Sequence, residues 1–127
     1  MTQEDKNILL KDLCARLPYK PMIRLEFQSG HGYQIGKMEI RNFWDIVRHF
    51  ENGIIATIKP YLRPMSSMTE EEQQKYYDLT HQEEDDVWAK CLFDKMVDFC
   101  NERHLDYRGL IEKGLALEAP KGMYKTK

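Results

Sequence analysis

Asn42-Phe43-Trp44-Asp45-Ile46-Val47-Arg48-His49-Phe50-Glu51-Asn52-Gly53-Ile54-Ile55-Ala56-Thr57-Ile58 is the stretch whose reading decides the fold. Phe43, Ile46, Val47 and Phe50 fall at i, i+3, i+4 and i+7, one face of a helix, and Gly53 would sit just past its end. Against this, Asn52-Gly53 is a strong two-residue hairpin signal, and the β-branched run Ile54 to Ile58 follows it at once. Trp44, Ile46 and Phe50 also fit one strand face. The hairpin reading is preferred and gives a four-stranded sheet. The helix reading gives a three-stranded sheet with an inserted helix.

The flanks upstream are plainer. Ile23, Leu25 and Phe27 alternate with Arg24, Glu26 and Gln28, the period of a half-buried strand. Ser29-Gly30-His31-Gly32 is a turn cluster, and Tyr33 to Ile40 is the return strand. The apolar parity of that strand changes at Gly36-Lys37, which predicts a β-bulge at Gly36. Before the sheet, residues 2–17 predict a helix. Thr2 is its N-cap, Glu4 and Asp5 lie in its first turn, and Pro18 stops it.

Downstream, Lys59-Pro60-Tyr61-Leu62-Arg63-Pro64 has two prolines four residues apart. That predicts an extended connector rather than a helix or a central strand. Thr69-Glu70-Glu71-Glu72 is a capping box that opens a helix to about Asp78. Thr80-His81-Gln82-Glu83 is a second box, opening a helix over residues 81–103 with Leu92, Phe93, Met96, Phe99 and Cys100 on its apolar stripe. One turn and a short extended piece, Leu115 to Glu118, complete the domain at about residue 120. Residues 121–127 are expected to form a mobile tail. The fold class is therefore α+β: a small antiparallel sheet of three or four strands, an N-terminal helix and two C-terminal helices.

The bulk numbers narrow the function. The 127 residues make one domain of ordinary size, and no apolar run is long enough to cross a membrane. The acidic start rules out a secretory leader as a reading of the N-terminus. Three cysteines with no CxxC suit a reducing cytoplasm, with Cys14 and Cys100 as core thiols. Net charge is −2, but unevenly spread: residues 1–64 carry 10 Lys/Arg against 7 Asp/Glu (+3), and residues 65–127 carry 9 against 14 (−5). The acidic excess is read as helix capping.

No nucleophile elbow, P-loop, dinucleotide fingerprint or zincin motif is present, so no catalytic residue and no cofactor is assigned. Catalysis would require a histidine at 49, 81 or 104 beside a carboxylate in a pocket. Cys100 and His104 have the i, i+4 spacing of half a metal site, but Cys14, Cys91, His31, His49 and His81 supply no second tight pair, so no metal is expected. What remains is binding. A stiff Pro-Tyr-Leu-Arg-Pro segment loses little entropy on docking, so Lys59, Tyr61, Leu62 and Arg63, or an exposed sheet face, would meet a protein partner. The bland alternative is that Tyr61 and Leu62 simply pack on the sheet. A second partner class is single-stranded nucleic acid, held by Arg24, Tyr33, Lys37, Arg41 and Arg48 through ring stacking and phosphate contacts.

The run Lys59-Pro60-Tyr61-Leu62-Arg63-Pro64-Met65-Ser66-Ser67-Met68-Thr69-Glu70-Glu71-Glu72 resembles a string found in short proteins of intestinal bacteria and their phages. Leu10 to Pro18, Asp106 to Ile111 and Gly114 to Ala119 resemble the same group, and Ile40 to Phe50 does not. The resemblance implies a prophage or mobile-element origin and a strand-rich front followed by helices. It assigns no catalytic or binding residue.

Overall fold

The computed structural model describes residues 2–28, 30, 32–80 and 86–124, with backbone only at 86–92. Helix α1 (Gln3–Arg16) leads into strands β1 (Met22–Phe27) and β2 (Tyr33–Lys37). Helix α2 (Ile40–Glu51), strand β3 (Ile55–Leu62), helices α3 (Glu70–Thr80) and α4 (Asp86–Glu102) and strand β4 (Leu117–Glu118) follow. The sheet order is β2-β1-β3-β4. β1 is antiparallel to both neighbours, whereas β4 runs parallel to β3, so the α+β class holds with a mixed rather than wholly antiparallel sheet.

Residues 40–51 form the inserted helix, which corrects the preferred hairpin. Phe43 and Phe50 are each 7% exposed and pack with Ile23, Ile55, Ile58, Leu9 and Leu13 in the main core. A strand could not have put Phe43, Ile46, Val47 and Phe50 on one face. The Asn-Gly dipeptide serves instead as the helix exit: the Asn52 amide returns to the Arg48 carbonyl at 3.0 Å, and Gly53 takes a left-handed φ of 85°.

The second correction concerns Pro60, which lies inside central strand β3. In the β1–β2 ladder the Met38 amide donates to the Pro21 carbonyl at 2.9 Å. Alternation from that rung turns the backbone groups of Ile23 and Leu25 toward β2, and those of Met22, Arg24 and Glu26 toward β3. Pro60 stands opposite Ile23. It therefore faces away from β1, and its missing N–H breaks no rung of that ladder. The expected bulge at Gly36 is also absent: β1 and β2 pair without a shift from Met22↔Lys37 to Glu26↔Tyr33. The irregularity falls at Glu26/Phe27, against β3.

Two smaller clusters attach the back half. Leu62, Leu110, Leu115 and Ala116 form one, and Phe99, Cys100 and Leu105 the other. The Thr69 capping box forms as read: the Glu72 amide donates to Thr69 Oγ1 at 3.2 Å, and Glu72 Oε1 accepts from the Thr69 amide at 3.0 Å. The box starting at Thr80 lies outside the described residues. The halves are joined by a buried ion cluster. Arg16 and Asp12, both 0% exposed, pair at 2.8 Å; Arg16 also donates to the Leu105 carbonyl at 2.7 Å, and Arg108 reaches Asp12 at 3.1 Å. Cys14, expected in the core, is exposed, whereas Cys100 is buried and its thiol is pushed up to about 11 by desolvation. Among the described residues no helix is long and apolar enough to cross a membrane.

Candidate interaction surface

α1 and α2 cover the sheet face that carries Ile23, Leu25 and Ile58. The opposite face follows from the ladder. Arg24, Glu26, Tyr33, Ile35, Lys37, Thr57 and Lys59 share it, because directly paired residues lie on the same side. Tyr33 and Ile35 are 55% and 46% exposed there. The Arg24 guanidinium lies over the Tyr33 ring at 3.8 Å and pairs with Glu26 at 3.3 Å.

All five residues of β2 are exposed, and β2 is an edge of the sheet. The same alternation that orients β1 turns the amides and carbonyls of Tyr33, Ile35 and Lys37 outward. Of these groups, only the Lys37 carbonyl meets a described neighbour, the Asn42 side chain at 3.4 Å. The strand carries no proline and no bulge, devices that commonly blunt such edges.

The residues read for nucleic acid do not all converge. Arg24, Tyr33 and Lys37 share the open face with Lys59. Arg41 and Arg48 lie on α2, where Arg41 pairs with Glu39 at 3.0 Å and Arg48 with Asp45 at 2.8 Å. α2 packs on the opposite face of the sheet, so these two arginines do not join Arg24, Tyr33 and Lys37. The connector residues are mostly inside: Tyr61, Leu62 and Arg63 are 7%, 0% and 8% exposed, and only Lys59 reaches the open face. Arg63 grips Glu72 with bonds of 2.7 and 3.0 Å, which hold the Glu72 carboxyl below its usual range. The Pro-Tyr-Leu-Arg-Pro segment thus follows the packing alternative.

A polar groove of about 760 Å³ opens where the halves meet, lined by Tyr19, Lys20, Lys75, Glu72, His104 and Tyr124 among others. Lys20 and His104 are the non-glycine residues with left-handed φ among the described residues, at 51° and 60°. His104 occupies the position after α4 where glycine is usual, since the Leu105 amide closes on the Cys100 carbonyl at 2.9 Å. Its ring stacks on Tyr124 at 3.8 Å, and burial drives its pKa down to about 4. His104 is thus off the helix, and the i, i+4 relation to Cys100 is not a shared helical face. Tyr124 lies in the segment 121–127 expected to be mobile. Its hydroxyl accepts from the Met22 amide and donates to the Tyr61 carbonyl, each at 2.8 Å, spanning a rung that β1 and β3 would otherwise close directly. Sequence reasoning missed this role, for nothing local marks it.

Among the described residues no group of three or more His, Cys, Asp or Glu side chains is placed to hold a metal ion. No family model, curated protein or solved structure matches the chain.

Proposed function

We propose that the chain is a non-enzymatic interaction protein of the cytoplasm that docks another protein by strand addition along β2. The observation that carries this reading is the exposed edge: alternate backbone groups point outward with few partners, beside a face bearing Tyr33, Ile35, Lys37, Arg24 and Lys59. Main-chain bonds would supply affinity and the flanking side chains specificity. A prophage or mobile-element source, implied by the resemblance, suits a small adaptor.

The groove supports catalysis less well. His104 lies there with Glu71, Glu72 and Glu102, but Glu72 is committed to Arg63 and Thr69, Glu102 pairs with Arg103, and His104 Nδ1 is buried without a hydrogen-bond partner. A working base needs a group to orient it. Single-stranded nucleic acid is the alternative partner, but Arg24 covers one face of the Tyr33 ring and leaves a base the other.

Ile35→Pro tests the docking reading. It deletes an outward N–H and leaves the β1–β2 rungs intact. Capture of partner proteins from the cytosol of the native host should be lost with the melting temperature kept. Undiminished capture by a folded Ile35→Pro protein contradicts strand addition.

A further inference from the structure

Gly36 stands apart from the other six of the seven glycines, which all have left-handed φ between 70° and 93°. Gly36 has ordinary strand backbone, and a Cβ built on it would meet nothing within 4 Å. Neither backbone conformation nor close approach explains a residue that weakens a strand interior. Its absent side chain does have one consequence. Paired with Ile23, Gly36 faces the α2 side of the sheet, and there a trough of about 310 Å³ lies open. Leu25, Phe27, Ile46 and Ile55 give it an apolar floor, and Gln34, Lys37, Asn42, Asp45 and His49 a polar rim. The trough runs beside the free edge of β2.

A strand added to that edge sends alternate side chains to opposite faces. On the trough side, the residue opposite Gly36 enters an apolar cavity. On the other side, one of its neighbours stands opposite Ile35 and the other opposite Lys37, with Lys59 and the Arg24–Glu26 pair behind, so the cations of that face exceed its carboxylate. We infer that the trough beside Gly36 is a specificity pocket for one large apolar side chain of a partner segment that alternates apolar and acidic residues. This inference rests on the strand-addition reading above. A second copy of the chain fits less well. Antiparallel self-pairing about Ile35 would set Gln34 opposite Gly36, so no large apolar side chain would enter the trough.

The test uses three blocked heptapeptides with a fluorescent label, read by anisotropy: alternating Glu with a central Leu, the same with central Ala, and the Leu peptide with Lys for Glu. The full-length protein should favour Leu over Ala by about tenfold, as filling an apolar pocket does. It should also favour Glu over Lys. Gly36→Val should melt at or above the parent temperature and bring the Leu/Ala ratio near one; Gly36→Ala should fall between. A parent ratio near one, or a ratio unchanged in Gly36→Val, overturns the pocket. If Ile35→Pro then still abolishes binding of every peptide, strand addition survives that failure. If Ile35→Pro binds like the parent, strand addition itself falls. Binding of none of the peptides at millimolar concentration overturns both. A dimer in sedimentation that Ile35→Pro dissociates makes the occupant a second copy and overturns the acidic segment.

Discussion

Tyr124→Phe removes one oxygen and should destabilise the whole domain. The hydroxyl takes the Met22 N–H and gives its proton to the Tyr61 carbonyl, both at 2.8 Å, so it replaces a ladder rung between the two central strands. Phenylalanine keeps the ring on His104 and leaves both backbone groups unpartnered. A net hydrogen bond is worth about 0.5–1.5 kcal/mol, so two give a loss of about 1–3 kcal/mol. Tyr124 and Met22 both border the groove, so a water could enter to replace the hydroxyl, which favours the lower half of that range. Urea unfolding followed by tryptophan fluorescence should show a lower midpoint with an unchanged slope. The melting temperature should drop by roughly 3–6 °C per kcal/mol for a domain of this size. A loss below about 0.5 kcal/mol would refute the claim that the C-terminal tyrosine completes the sheet.

Other perturbations probe separate parts of the account. Asp12→Ala strands the buried Arg16 guanidinium and should cost about 3–5 kcal/mol in urea unfolding, whereas Asp12→Leu combined with Arg16→Met should recover part of that loss. His104 has its folded pKa depressed to about 4 from an ordinary value of 6.5. The unfolded chain therefore binds a proton first as pH falls, so stability present above pH 6.5 is lost down through pH 4. Melting temperatures across that window should show the slope, and His104→Asn, which tolerates the left-handed backbone, should flatten it. A single-stranded oligonucleotide should give no gel shift at 50 mM salt with micromolar protein; a shift that fades steeply with added salt would favour the nucleic-acid alternative instead.

Legibility in the sequence followed the range of the interaction. The Thr69–Glu72 box and the alternation of Ile23, Leu25 and Phe27 depend on neighbours within a few positions, and both stand as read. The α2 segment held two valid local signals, and burial of Phe43 and Phe50 against the sheet decided between them. Pro60 looked incompatible with a central strand because ladder phase is set by β1 and β2, not by β3 itself. Asp12 and Arg16 resemble a surface i, i+4 pair; only contact with Leu105 and Arg108, far along the chain, makes them a buried clasp. At the candidate surface, Arg24, Tyr33 and Lys37 were legible as interleaved basic and aromatic residues, but the parity change read at Gly36 put Tyr33 on the apolar face, and only the unshifted β1–β2 register sets it beside Lys37. The trough was not legible, since Gly36 reads as a bulge until the position of α2 is known.

Amide hydrogen exchange along β2, residue by residue, tests the central claim most directly. In the free protein the amides of Gln34 and Gly36 should be protected by β1, and those of Tyr33, Ile35 and Lys37 should exchange freely; a bound partner segment should slow those three. Protection of Tyr33, Ile35 and Lys37 in the free monomer, or no change in them when a partner binds, would contradict docking along this edge.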